Sequence, residues 1–110
     1  MSTVFTFPGQ GAQRAGMLAD LPDSAAVRET VEAAEDVLSA RITTLDTARA
    51  LATTDNVQIA LTVMGVAAAR HLSEHAGPPD AVLGLSIGAW PAAVIAGVID
   101  FEAALALVAT

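Results

Sequence analysis

A chain of 110 residues with no cysteine, no lysine, and five arginines against twelve acidic residues carries a net charge of -7, and this excludes several functions at once. It can build no disulfide framework, thiolate nucleophile or cysteine-based zinc site, and nucleic acid is not an expected partner of so acidic a surface. Its 54% apolar content, much of it alanine, suits one small domain of helices packed closely against a sheet.

The N-terminal segment Met1-Ser2-Thr3-Val4-Phe5 has neither a basic region nor an apolar signal core, so a cytoplasmic location is expected. Val4 to Phe7 is a β-branched and aromatic run stopped by Pro8-Gly9, which predicts a first strand followed by the loop Gly9-Gln10-Gly11-Ala12-Gln13. From Ser24 to Ala40 the apolar positions Val27, Val31, Ala34 and Leu38 recur at helical spacing, with Arg28, Glu29, Glu32, Glu35 and Asp36 as a solvated opposite face. Arg41 to Thr54 is irregular, with a short helix around Thr47 to Leu51. Asp55 or Asn56 then caps a long helix whose stripe is Val57, Leu61, Met64, Ala68 and Leu72, ending at Gly77 before Pro78-Pro79.

Asp80 to Gly84 reads as a second strand and Ile87 to Ala96 as the helix behind it. The apolar run from Ala89 to Ile99 contains Pro91 and Gly97 and falls short of the ~20 residues of a membrane span, so no membrane contact is expected. Asp100 caps a last amphipathic helix carrying Phe101, Leu105 and Val108. Strand, helices, strand, helix is the order of a parallel α/β arrangement with right-handed crossovers. Two strands are few for such a sheet. Residues 1-110 therefore read as the incomplete N-terminal part of a domain.

Gly84-Leu85-Ser86-Ile87-Gly88, on the turn from strand to helix, has the form of a nucleophile elbow, in which flanking glycines permit a tight bend that lifts the serine hydroxyl clear of the sheet. The alternative is a glycine-rich connection with serine as an N-cap. In an elbow the N–H after the nucleophile, here that of Ile87, is one oxyanion donor. A second normally comes from a loop after an earlier strand, and Gly9-Gln10-Gly11 occupies such a position, its glycines allowing close backbone approach to a ligand. Pro91 implies that the helix behind Ser86 either starts late or is kinked.

Three other patterns carry less. Gly9-x-Gly11 begins like a dinucleotide fingerprint but has Arg14 where the third glycine belongs. His71-Leu72-Ser73-Glu74-His75 fits an inverted zinc-peptidase pattern, yet no further histidine exists as a third ligand, and no metal is expected. Gln58, three residues after Asp55, either completes a capping box or lines an active site.

Phe7-Pro8-Gly9-Gln10-Gly11-Ala12-Gln13, Asn56-Val57-Gln58-Ile59-Ala60-Leu61 and Gly84-Leu85-Ser86-Ile87-Gly88, in that order across nearly the whole chain, resemble the malonyl-CoA:acyl carrier protein transacylases. The resemblance implies the N-terminal portion of an α/β-hydrolase-like core with a parallel sheet, the family's ferredoxin-like subdomain being absent from this chain. It makes Ser86 the acyl-accepting nucleophile, the backbone amides of Gln10 and Ile87 the oxyanion hole, and Gln58, with Gly9 and Gly11, the substrate-binding residues. Malonyl-CoA is the implied substrate, an acyl carrier protein with a phosphopantetheine-type thiol the implied partner, and no bound cofactor is implied.

The common fatty-acid-synthesis enzyme has histidine before the serine and glutamate after the second glycine, where this chain has Leu85 and Ala89. That histidine is not the family's general base. Gly84 to Ala93 is more similar to the epsilon subunit of malonate decarboxylase, which implies further decarboxylase subunits as partners. The family's catalytic histidine and malonyl-binding arginine would lie beyond Thr110, so these 110 residues alone are expected to transfer little. A serine hydrolase of the esterase or patatin type, and an inactive truncated piece, are the other readings.

Overall fold

Val4–Phe7 forms strand β1 and Ala81–Gly84 forms strand β2, and the two pair in parallel with Val4 opposite Ala81 and Phe7 opposite Gly84. The computed structural model describes residues 2–110. Because side chains alternate along a strand, Phe5, Phe7 and Val82 turn towards the helices and pack with Ala69, Ala92 and Ile95. Val4 and Leu83 are 50% and 64% exposed, so the described helices cover one face of the pair.

Helix α1, Ala25–Leu38, begins where the Ser24 hydroxyl accepts the Val27 N–H at 3.3 Å and ends at Ser39, whose φ of 53° breaks the helical path. The expected stripe is present, with Val27 and Ala34 buried and Val31 and Leu38 half-buried. Glu35 departs from the solvated face assigned to it: its Oε2 accepts the Ile42 N–H at 2.8 Å and so satisfies the start of the next turn. Two 3-10 turns follow, Ile42–Thr44 and Ala50–Ala52, the second where a short helix around Thr47 to Leu51 is expected.

Helix α2, Thr54–Ala76, starts earlier than the sequence suggests. Thr53 is its N-cap, without a side-chain cap bond; Asp55 lies inside the first turn, where its charge complements the helix dipole, and Asn56 donates instead to the Ala50 carbonyl at 3.0 Å. The single stripe is also corrected. Val57 and Leu61 are buried, but Met64 and Ala68 are half-buried and Leu72 is 49% exposed, whereas Ile59, Ala60, Val63, Val66 and Ala67 are all buried. Helix α2 touches α1 on one flank and α3, Ala89–Ile95, and α4, Phe101–Val108, on others, so nearly its whole circumference is core. Thr62, fully buried there, donates a hydrogen bond from its hydroxyl to the Gln58 carbonyl at 2.8 Å.

Helix α4 keeps its expected cap, the Asp100 carboxylate accepting the Ala103 N–H at 2.8 Å, and drives Phe101 and Leu105 into the main cluster beside Val57, Val63 and Val66. The Arg70 guanidinium lies 5.3 Å from the Phe101 ring centroid and donates to Thr30 Oγ1 at 3.1 Å.

The segment after the first loop, which has no regular periodicity, is held by Asp46. This carboxylate is 7% exposed and accepts the N–H groups of Leu18 at 3.0 Å and Ala19 at 3.3 Å, while its own carbonyl accepts the Gly16 N–H at 2.8 Å. Asp46→Ala strands those two amides, and we expect a loss of about 1–3 kcal/mol in urea unfolding of the intact protein. A change below about 0.5 kcal/mol, the size of an ordinary surface substitution, would show that Asp46 does not anchor the segment.

Candidate active site

Ser86 has a φ of 55°, in the left-handed region that a side chain makes costly. The other non-glycine residue with positive φ among those described is Ser39, at a helix end where this conformation is routine. At Ser86 the bend is enforced by its surroundings. A Cβ on Gly84 would run into the Gly88 carbonyl and the Ala89 nitrogen, and a Cβ on Gly88 into the carbonyls of Phe7 and Pro8. Both glycines therefore let the backbone close on itself and on the end of β1, giving the tight geometry that the pentapeptide predicts.

The first turn behind the serine is 3-10, Ser86–Gly88, and regular helix starts at Ala89 rather than at Ile87. This resolves the position of Pro91, which sits in the first turn of α3, where a missing N–H costs nothing. Pro91 and Phe7 close on α2 at Gly65, where an added Cβ would lie 2.9 Å from Pro91 Cβ and 3.1 Å from Phe7 Cδ1. No motif marks Gly65 in the sequence; its signal is a glycine inside an otherwise strong helical pattern.

Parallel pairing brings the first loop to the elbow. Leu85 donates its N–H to the Phe7 carbonyl at 3.2 Å, and a Cβ on Gly9 would stand 2.7 Å from the Leu85 carbonyl oxygen and 3.3 Å from Ser86 Cβ. Gly9 thus lies directly against Ser86, with Gln10 and Gly11 next in the same exposed turn. Among the described residues, neither the Gln10 N–H nor the Ile87 N–H donates a hydrogen bond. Both donors sit on turns that the approach of Gly9 to Ser86 brings side by side.

Gln58 lies in the second turn of α2, half-buried, and its side-chain amide makes no hydrogen bond with the described residues. With Thr53 at the N-cap, the capping-box role is removed. Helix α2 packs against the turn that carries Ser86. Gln58 lies two turns, or about 10 Å along the axis, from Gly65 towards the N-terminus of α2.

The Ser86 hydroxyl is exposed and has no hydrogen-bond partner among the described residues. His71 and His75 pack edge to face with centroids 4.3 Å apart in the last turns of α2. That helix ends just before β2 begins, whereas Ser86 follows the end of β2, so the length of the strand separates the imidazoles from the serine. Among the described residues no group of three or more histidine, cysteine or acidic side chains could hold a metal ion, and no helix is long and apolar enough to cross a membrane. An apolar groove of about 330 Å³ runs between β1 and α2, lined by Phe5, Phe7, Pro8, Met64, Ala68 and Leu72 among others.

Comparison with known proteins gives this geometry a family. The chain is 39% identical over 111 residues to the malonyl CoA-acyl carrier protein transacylase of Synechocystis sp. PCC 6803, covering 98% of this chain and 38% of that protein. The crystal structure of an acyl-carrier-protein S-malonyltransferase from Burkholderia pseudomallei superposes with a TM-score of 0.90 at 40% identity, over 99% of this chain and 37% of the other. A malonyl-transacylase solved in complex with a type II polyketide acyl carrier protein superposes with a TM-score of 0.87 at 38% identity, over 99% of this chain and 37% of that one. The chain thus spans little more than a third of the length of these relatives, and its α/β fold with a parallel strand pair is that of their N-terminal part. Residues 4–110 match the acyl transferase domain model, and the chain belongs to that family.

Proposed function

We propose that the intact protein moves a malonyl group from coenzyme A to the thiol of an acyl carrier protein through a malonyl ester on Ser86. The observation that carries this reading is the left-handed bend at Ser86 between two glycines that have no room for a side chain, with the Gly9 loop against it. Ser86 Oγ attacks the thioester carbonyl, its proton passing to a base that the rest of the protein supplies. The carbonyl oxygen becomes an anion held by the N–H groups of Gln10 and Ile87. Collapse breaks the C–S bond, and coenzyme A leaves with the proton as its thiol. The carrier thiol then attacks the ester in the same sense and restores the serine.

Gln58 and the loop glycines Gly9 and Gly11 are proposed to line the acyl site: the first brings an uncommitted amide, the other two allow close backbone approach. The relatives' names support the malonyl thioester as substrate, and the carrier complex of one of them supports the partner. Within the family we place the chain in the malonate decarboxylase branch. Leu85 before the serine and Ala89-Trp90-Pro91-Ala92-Ala93 after the second glycine support that narrower assignment.

The test is a transfer assay with the intact protein, labelled malonyl-CoA, and two acceptors in parallel: the carrier protein of a malonate decarboxylase and that of fatty acid synthesis. Label passing through a stable malonyl-protein to the decarboxylase carrier, at least about tenfold faster than to the other, is the expected outcome, corresponding to 1.4 kcal/mol of discrimination. Equal or reversed rates would overturn the branch assignment, and release of free malonate without transfer would overturn acyl transfer itself.

A further inference from the structure

The loop that brings Gln10 to the elbow is held at one end by close packing of Gly9 on the elbow backbone and, two residues further on, by a single side chain. Gly9 is fixed by its contact with the Leu85 carbonyl. The turn Gly9 to Ala12 is closed by a long bond, Ala12 N–H to the Gly9 carbonyl at 3.4 Å, and its third residue, Gly11, has a φ of 113°. Positive φ at the third position is the mark of a type II turn, which differs from type I by a half-turn of its central peptide. Here the central peptide joins Gln10 to Gly11. With glycine at the third position, the two forms are close in energy, and the weak closing bond does little to choose between them.

The choice falls to Gln13. Its Oε1 accepts the Gly11 N–H at 2.7 Å, which fixes the central peptide in the orientation seen. Gln13 is itself half-buried and continuous with a segment tied to the core: Arg14 pairs with Asp20 at 2.6 Å, and Asp46 holds the amides of Leu18 and Ala19. The segment that Asp46 holds thus meets the loop through one amide. Stabilisation of an oxyanion depends on dipoles that are already aimed before charge develops. The Gln10 N–H belongs to the preceding peptide, but a central peptide free to rotate would change where the Gln10 carbonyl dipole points beside it.

We propose that Gln13 is a positioning residue of this reaction: by accepting the Gly11 N–H it selects one peptide orientation and keeps the Gln10 N–H preorganised for the oxyanion. The proposal rests on the acyl-transfer reading of Ser86. Gln13 itself touches no reacting atom, so its effect belongs to the transition state and not to substrate affinity.

The experiment uses the intact protein with Gln13→Leu, which removes the acceptor at similar volume, and Gln13→Glu, which retains it. Malonylation rates are read at about 0.5 M salt, where the Debye length of ~4–5 Å screens the added carboxylate charge. Malonyl-CoA affinity is read separately on a Ser86→Ala background, where no ester forms. We expect Gln13→Leu to slow malonylation about tenfold, a loss the size of one hydrogen bond, with affinity within about twofold of the parent; Gln13→Glu should recover to within about threefold of the parent rate. Parent-like malonylation by Gln13→Leu, an affinity loss that matches the rate loss, or a Gln13→Glu variant as slow as Gln13→Leu would each overturn the proposal while leaving the Ser86 reading intact. Undiminished label on the Ser86→Ala protein would overturn that reading and the proposal with it.

Discussion

Ser86→Ala in the intact protein is expected to abolish covalent malonylation and to lower transfer by on the order of 10⁴-fold or more, because removing a nucleophile leaves only the residual contribution of the oxyanion donors and binding. The measurement is intact-protein mass after brief exposure to malonyl-CoA, where the parent gains one malonyl group and the variant gains none. Structural collapse would be an uninteresting cause of such a loss, and the site argues against it. The serine side chain is exposed and makes no hydrogen bond with the described residues, so truncating it leaves no orphaned partner. Alanine tolerates the left-handed φ of 55° about as well as serine does, since both carry a single unbranched Cβ. Ser86→Val adds a second branch at a backbone conformation that β-branched residues tolerate poorly. Its unfolding midpoint should fall while that of Ser86→Ala stays near the parent. Malonylation of Ser86→Ala at the parent rate would move the nucleophile elsewhere and end the proposed mechanism.

The elbow was legible because its cause is local. A serine flanked by glycines after a short apolar run states its own geometry, although the room left at Gly88 is taken up by the distant end of β1 at Phe7 and Pro8. The proximity of the Gln10 loop was legible at one remove, since parallel pairing of Phe7 with Gly84 carries the residues after one strand to those after the other. Burial around α2 was not legible. A stripe through Val57, Leu61, Met64, Ala68 and Leu72 assumes one covered face, whereas contacts with α1, α3 and α4 cover several, and the true pattern is a property of those neighbours. The early start of α2 escaped for a related reason: Asp55 is a good capping residue, but Thr53, extended after the 3-10 turn at Ala50–Ala52, takes the N-cap position two residues before it. Asp46 looked like one acid among twelve because the amides it holds lie 27 and 28 residues earlier.

Gly88→Ala is expected to be severely damaging for a single added methyl, costing about 3 kcal/mol and removing malonylation together with stability. The added Cβ would meet the carbonyls of Phe7 and Pro8, which are backbone, so no rotamer change relieves the clash. Relief requires the end of β1 to withdraw. That withdrawal breaks the bond from the Leu85 N–H to the Phe7 carbonyl and draws Gly9 and Gln10 away from Ser86, so the damage to the fold and to the site share one cause. Gly97→Ala is the matched control. It adds the same methyl at a φ of 81° with nothing within 4 Å, so it carries only the conformational penalty, about 1 kcal/mol, and leaves the elbow in place. Urea unfolding and the malonyl mass assay on the two intact variants separate these effects. Equal stability losses, or a Gly88→Ala protein that malonylates as well as Gly97→Ala, would show that β1 is free to move without consequence for Ser86. A large loss at Gly88 alone would show that the loop and the elbow are held as one unit by the end of β1.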